Sequence, residues 1–371
     1  MGNMMGKILH GCVLVLLAAL ANVSDFCMAS EVPSLNHVYL IVMENHSYQD
    51  IIGNPNAPYI NQWLKTANLA TDYFAVGHPS LPNYLELVGG SNFGIRNDDY
   101  PDWHGATPSS RLNQPLAGTG MDLATPPIIA PFGAGIASAP CRARTIADQL
   151  AERGKRWKSY QESLPASGLV DGVNDSDGIY TNLDANWLAG LGPLPKHYVA
   201  KHNPFVYFAA VQEGKYPHDG LDNVVGFDGA RGLYADLGAG TSPAFSFVVP
   251  NLCHDMHGID NGSKRCGNDI ALVQMGDATV RQLVEAIHAS PAWKIGRNAL
   301  ILVWDENSNG ADPNRVALVV ETNYGKQGLR SHQPYSHFSL LKTLEAGFGL
   351  PCLNHACDHN VHVISDLFAA K

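Results

Sequence analysis

The sequence has 371 residues, enough for one large α/β domain or two modest ones with a sizeable core. Its 45% apolar and 16% charged content belongs to a globular protein, and 36 glycines and 23 prolines without a low-complexity repeat predict long ordered loops. A formal net charge of −10 and no basic stripe argue against a nucleic-acid binder, because phosphate backbones demand clustered cations.

Residues 1–30 read as an export signal. Lys7 supplies the positive n-region, Ile8 to Val23 the apolar h-region, and Cys27-Met28-Ala29-Ser30 the small residues for cleavage. An N-terminal anchor is the competing reading, but Asn22, Ser24 and Asp25 break the end of the apolar run. Ser24-Asp25-Phe26 lacks the small and aliphatic residues of a lipoprotein site before Cys27. No later run reaches about 18 apolar residues, so the expectation is a secreted or periplasmic protein with no stable membrane anchor. Residues 31–371 then form a single domain.

In chain order, His37 to Met43 predicts a buried strand that ends at Glu44-Asn45-His46. Tyr59 to Ala70 has helical spacing, Asp72 to Val76 predicts a second strand, and Tyr84 to Val88 the start of a helix. Residues 91–140 lack periodicity and predict a loop-rich insertion. Arg144 to Arg153 follows as an amphipathic helix. Strands are predicted over Lys155 to Gln161, Phe205 to Ala210, Ala244 to Val249, Ala299 to Trp304 and Val316 to Glu321. Asp277 to Ala289 and Ser336 to Phe348 predict helices. Strands alternating with helices imply an α/β fold, a mostly parallel central sheet sandwiched by helices. Tyr39, Phe205, Phe245 and Phe247 are read as core. Once Cys12 and Cys27 leave with the signal, Cys253/Cys266 and Cys352/Cys357 are the close pairs for local disulfides in an oxidising compartment, and Cys141 is left over.

The polar clusters fall just after strands, where open α/β sheets bind ligands. Met43-Glu44-Asn45 and Trp304-Asp305-Glu306-Asn307 each place carboxylates there. Adjacent like charges are costly unless a cation or protons neutralise them. All-oxygen ligation favours a hard divalent ion, Mg²⁺, Ca²⁺ or Mn²⁺, with Fe²⁺ as a further choice. Ser80, in His78-Pro79-Ser80-Leu81-Pro82-Asn83, lies where a strand turns into a helix, so its hydroxyl and the helix amides face one anion. A serine in such a place often merely caps its helix. Two flanking prolines and a nearby Asn favour a nucleophile instead, activated by a metal.

Gly77-His78-Pro79-Ser80-Leu81-Pro82-Asn83-Tyr84, with Met43-Glu44-Asn45 before it and Val303-Trp304-Asp305-Glu306 after, resembles the bacterial phosphoesterase family. That family includes phospholipases C and secreted acid phosphatases of the alkaline-phosphatase-like superfamily. Asn203-Pro204-Phe205 after His202, Pro250-Asn251 before Asp255-Met256-His257, and Tyr335-Ser336-His337 extend the match across residues 37–350. The resemblance implies an alkaline-phosphatase-like fold, with Glu44, Asn45, Ser80, Asp305 and Glu306 around a divalent metal and a phosphoserine on Ser80. It implies that Asn83 donates to the phosphoryl oxygens. Asn251, Asp255, His257 and His337 stand where relatives place a second metal or phosphate site. Asn251 replaces a usual Asp there, which favours a one-metal site with His202 and His337 handling the phosphate and the leaving group.

The expected activity is hydrolysis of phosphomonoesters, with a mildly acidic optimum. The expected partner is a small phosphorylated substrate or a phospholipid headgroup; oligomeric state is not legible. A phospholipase C-type phosphodiesterase is the nearest rival, although such enzymes are typically much longer. A non-catalytic phosphate- or metal-binding protein would have no need of Ser80. Sulfatases of the superfamily use a different nucleophile motif, absent from this chain.

Overall fold

The computed structural model describes residues 32–95, 98, 128–129, 142–164, 197–215, 219–259, 266–308 and 313–370. The expected export signal, Cys141 and most of the 91–140 insertion lie outside these residues. The strands are β1 (His37–Met43), β2 (Asn68–Phe74), β3 (Gly77–His78), β4 (Ile128–Ile129), β5 (Trp157–Gln161), β6 (Val224–Val225), β7 (Phe245–Val249), β8 (Asn298–Trp304), β9 (Arg315–Thr322), β10 (Arg330–Ser331) and β11 (Tyr335–Ser336). Nine of them form one sheet in the order β10-β2-β9-β8-β1-β7-β5-β6, with β11 also on β2, and β3 pairs with β4 apart from it.

Among the described pairings only β9 runs against its neighbours; β1 is parallel to both β7 and β8, and β5 is parallel to β6 and β7. Every residue of β7 and β8 is buried, so layers cover both faces of the sheet. That explains why these strands read as unbroken apolar runs rather than alternating ones. The mostly parallel sheet agrees with the sequence reading. Tyr39, Phe205, Phe245 and Phe247 are all core residues.

Helices Pro58–Trp63 and Asp269–Ala289 pack on one another, as do Ser80–Gly89 and His337–Phe348. Asp277 joins the first pair by accepting the Tyr59 and Ile60 amides at the start of its partner helix, at 3.0 and 2.8 Å. Asn298 ties the foot of β8 to the preceding turn. Its Nδ2 donates to the carbonyls of Ala292, Trp293 and Ile295, while its Oδ1 accepts the His37 amide.

Several expectations need correction. Phe205 to Ala210, expected as a strand, is a 3₁₀ turn over Pro204–Tyr207 and a helix over Ala209–Glu213. The segment is apolar and buried throughout, a pattern that does not separate strand from buried helix. The Tyr59 to Ala70 helix stops at Trp63, and the strand expected from Asp72 begins at Asn68. The helix expected from Asp277 begins at Asp269, behind an exposed first turn capped by Asn268 accepting from the Ala271 amide. Both expected disulfides, Cys253–Cys266 and Cys352–Cys357, are present.

Candidate active site

The parallel pairing of β1 and β8 sets Met43 opposite Trp304, so Glu44 and Asp305 leave the sheet side by side. The Asp305 amide donates to the Met43 carbonyl at 2.9 Å and locks this exit. Asn45 then turns with φ at 50°, a left-handed conformation that Asn tolerates better than most residues, and its amide donates to Asp305 Oδ1 at 3.1 Å. The Asn45 side-chain amide is oriented by the carboxylates it meets: its Nδ2 donates to Glu306 Oε1 at 3.1 Å and to Glu44 Oε2 at 3.2 Å.

Ser80 is the first residue of a wholly buried helix, Ser80–Gly89. Its hydroxyl donates to Glu44 Oε2 at 3.0 Å. The cap residue Pro79 has no side chain that can close this N-terminus; the Asp98 carboxylate takes that place, accepting the Leu81 amide at 3.0 Å beside the Ser80 backbone. Asn83, one turn on, clamps the approach. Its Oδ1 accepts the Val76 and Gly77 amides, and its Nδ2 donates to Gly77 O and to Glu306 Oε2. His78 Nδ1 lies 3.1 Å from the same Glu306 oxygen.

On the β7 side, His202 bridges two carboxylates, with Nε2 3.1 Å from Glu44 Oε1 and Nδ1 3.2 Å from Asp255 Oδ2. Its ring stacks on Tyr84, centroids 5.2 Å apart and planes 8° apart, and so keeps this orientation. The Asp255 carbonyl accepts the Glu44 amide, and Asp255 Oδ1 accepts the His257 amide. Ligand atoms of Glu44, His202 and His257 lie within 4.8 Å of one another.

Burial pushes the carboxyls of Glu44, Asp305, Asp255 and Glu306 well above the usual range; the charge of Asp305 adds to this at Glu44 and Asp255, and that of Glu306 at Asp305. Burial likewise lowers the His202 and His78 imidazoles, and that of His257 to about 4. Glu44 Oε1, Asp305 Oδ2 and Asp255 Oδ2 make no well-aligned hydrogen bond, the first and last facing the His202 ring nitrogens. Three buried carboxyls, Glu44, Asp305 and Glu306, therefore crowd together at the ends of neighbouring strands, Asp305 and Glu306 raising the cost of charge on their neighbours. A hard divalent cation would neutralise that crowding, so Glu44, Asn45, Ser80, Asp305 and Glu306 fit one as an oxygen-ligand set.

Three expected site residues are turned to other tasks. Asn251 faces away: its Oδ1 accepts the Cys253 and His254 amides and its Nδ2 donates to Ser163. Asn83 spends its amide hydrogens on Gly77 and Glu306 rather than holding them open. His337 is fully buried, with Nε2 2.6 Å from the Asp305 carbonyl and Nδ1 2.8 Å from the Tyr73 hydroxyl, so both ring nitrogens are engaged. It braces the Asp305 backbone. Sequence reasoning passed over Lys201, whose Nζ reaches His257 Nε2 at 3.1 Å; its position directly before His202 is the signal that could have found it.

The phosphoesterase family model matches residues 54–351. The chain is 26% identical over 341 residues to a phosphatidylinositol-3-phosphatase of Mycobacterium tuberculosis, covering 92% of this chain and 85% of that one. An acid phosphatase of Aspergillus fumigatus is 23% identical over 93% of this chain and 62% of its own length. A phosphate-repressible acid phosphatase of Penicillium chrysogenum is 25% identical over 84% and 59%. The chain thus spans less than two thirds of these two fungal relatives. Among solved structures, an alkaline phosphatase superfamily protein of Vibrio parahaemolyticus aligns over 86% of this chain and 68% of its own, with a TM-score of 0.49 and 14% identity. With its motifs gathered at one end of the sheet and the family model spanning most of its length, the chain belongs to the phosphoesterase family and is a hydrolase of phosphoric ester bonds.

Proposed function

We propose that this chain is an exported, metal-dependent acid phosphatase that hydrolyses phosphomonoesters through a phosphoserine on Ser80. One observation carries the reading: the Ser80 hydroxyl, on the first residue of its helix, donates to Glu44 Oε2 at 3.0 Å and stands beside the carboxylates of Asp305 and Glu306. A capping serine would direct its oxygen at the helix amides; this one directs its proton at a carboxylate. The acid phosphatase relatives and the two disulfides support an enzyme of an oxidising compartment.

Glu44, Asn45, Asp305 and Glu306 would hold the divalent cation, which would lower the pKa of the hydroxyl and offset charge on the phosphoryl oxygens. Ser80 Oγ attacks phosphorus in line, forming the Oγ–P bond as the bond to the leaving alcohol breaks. The hydroxyl proton leaves along the hydrogen bond towards Glu44. The positive end of the helix dipole favours the charge on the phosphoryl oxygens. His202, set between Glu44 and Asp255, holds both carboxylates, His337 holds Asp305 in place, and the departing oxygen takes its proton from water. Water then cleaves the phosphoserine, which restores Ser80 and releases phosphate.

The relative that bears a phosphoinositide phosphatase name makes a phosphorylated lipid headgroup one candidate monoester beside small soluble esters. Hydrolysis of p-nitrophenyl phosphate by wild type, Ser80→Ala and chelator-treated protein tests the reading. Wild-type turnover with both controls dead supports it. Inertness on the monoester with cleavage of a choline phosphodiester would favour the phospholipase C reading, and inertness on both a binding protein.

A further inference from the structure

Lys201 lies in the 3₁₀ turn Ala200–His202, directly before the histidine that bridges Glu44 and Asp255. Its side chain is only 12% exposed. Nζ donates to Asp98 Oδ2 at 2.7 Å and lies 3.1 Å from His257 Nε2. The other nitrogen of that imidazole, Nδ1, sits 2.8 Å from the Gly258 carbonyl and so carries the proton. The Nε2 lone pair is left to accept from the ammonium. The lone pair that a second metal would need at His257 is therefore occupied by a cation the chain supplies itself, while Asn251 is turned away.

The same ammonium lies close enough to stabilise the charged forms of Glu44 and Glu306 on the far side of the site. Burial alone would lower its own pKa, but Asp98, Glu44 and Glu306 outweigh burial and keep it charged. Asp98 links it to the nucleophile, because the other oxygen of that carboxylate accepts the amide of Leu81, the residue after Ser80, at 3.0 Å. An ammonium and a helix N-terminal amide thus converge on one anionic group beside the Ser80 hydroxyl. That donor pair suits a phosphoryl group with two charged oxygens, one for the metal set and one for the ammonium.

We propose that Lys201 is a specificity-determining residue that receives the second charged oxygen of a phosphate monoester dianion, so that the site prefers monoester dianions to diester monoanions. The assignment rests on the phosphatase reading of Ser80. A diester oxygen bound to carbon brings no charge to the ammonium and gains little from it. A monoester dianion gains a further ion pair with an ammonium that Asp98 holds in place and that is only 12% exposed, where such pairs count most.

The test compares kcat/KM for p-nitrophenyl phosphate and bis-p-nitrophenyl phosphate in wild type, Lys201→Met, Lys201→Arg and the double variant Asp98→Asn with Lys201→Met, alongside inhibition by inorganic phosphate. The double variant removes the ammonium without stranding the Asp98 charge, so it reports even where the single variant does not fold. Loss of the ammonium is expected to lower the monoester value roughly 100-fold, as for one oxyanion-hole donor, and the diester value less than about tenfold. Phosphate inhibition weakens in parallel, and Lys201→Arg keeps the monoester preference because it keeps the charge. Equal losses on both esters, or unchanged phosphate inhibition, would overturn the proposal while leaving the phosphatase reading intact. Wild type inert on the monoester, or turnover surviving in Ser80→Ala, would defeat the phosphatase reading itself.

Discussion

Glu345 offers a sharp physical test of this fold. It sits inside helix His337–Phe348 at 1% exposure, and neither carboxyl oxygen makes a well-aligned hydrogen bond. Burial pushes its pKa up to about 9 from an ordinary value of 4.5, with the Leu353 amide and Lys342 only tempering the shift. Between those two values the folded state holds a proton that the unfolded chain has released, so stability falls as pH rises through the window. At about 1.4 kcal/mol per unit, the cost reaches about 3 kcal/mol at pH 7 and about 6 kcal/mol above pH 9. Glu345→Gln keeps the shape and removes the titration. The variant should match wild type near pH 4 and exceed it by about 3 kcal/mol at pH 7. Urea unfolding of both proteins from pH 4 to pH 9, at fixed metal concentration, reads the difference directly. Parallel stability curves would refute the assignment of a neutral buried carboxyl.

Other expectations concern the supports of the site. Gly276 on helix Asp269–Ala289 leaves room for Met256; a Cβ there would meet the Met256 Cγ and Cε at 2.4 Å. Met256 stands at φ 82° between Asp255 and His257, so Gly276→Ala should shift both residues, costing roughly 1–3 kcal/mol in thermal unfolding and lowering kcat. A variant with unchanged kcat would mean that the segment is braced otherwise. Replacing Cys253 and Cys266 by Ser frees the same segment, with an expected loss of about 3 kcal/mol by loop-closure entropy, measured by denaturant unfolding. His337→Phe removes the donor to the Asp305 carbonyl and leaves a buried acceptor unpaired, at about 1–3 kcal/mol. Isothermal titration with Mn²⁺ should show weakened metal binding; unchanged affinity would contradict the bracing role.

Much of the architecture was legible because parallel strands buried on both faces are continuous apolar runs, as in β1, β7 and β8. The carboxylates at their ends announced the site for the same reason: a polar residue directly after such a run lies at the carboxyl edge of the sheet. The structure adds the register that makes Glu44 and Asp305 neighbours across 261 positions of chain. Sequence pattern failed where burial was complete without sheet pairing, as at Phe205 to Ala210. It also failed where a residue's role depends on distant partners. Lys201 acquires meaning only through Asp98 and His257, and a lone lysine carries no periodic signature. Asn83 and His337 were found by motif, yet their hydrogen bonds assign them to bracing, a distinction that only geometry draws. Glu86 and Glu345, buried carboxyls within helices, gave no signal at all.

The most direct test of the central claim is to mix the metal-loaded full chain with p-nitrophenyl phosphate, quench within one turnover in acid, and map the peptides by mass spectrometry. The account expects phosphate on the Ser80 peptide, appearing and decaying at rates consistent with turnover and absent from Ser80→Ala. Steady hydrolysis with no phosphate on Ser80, or with phosphate on another residue, would contradict it.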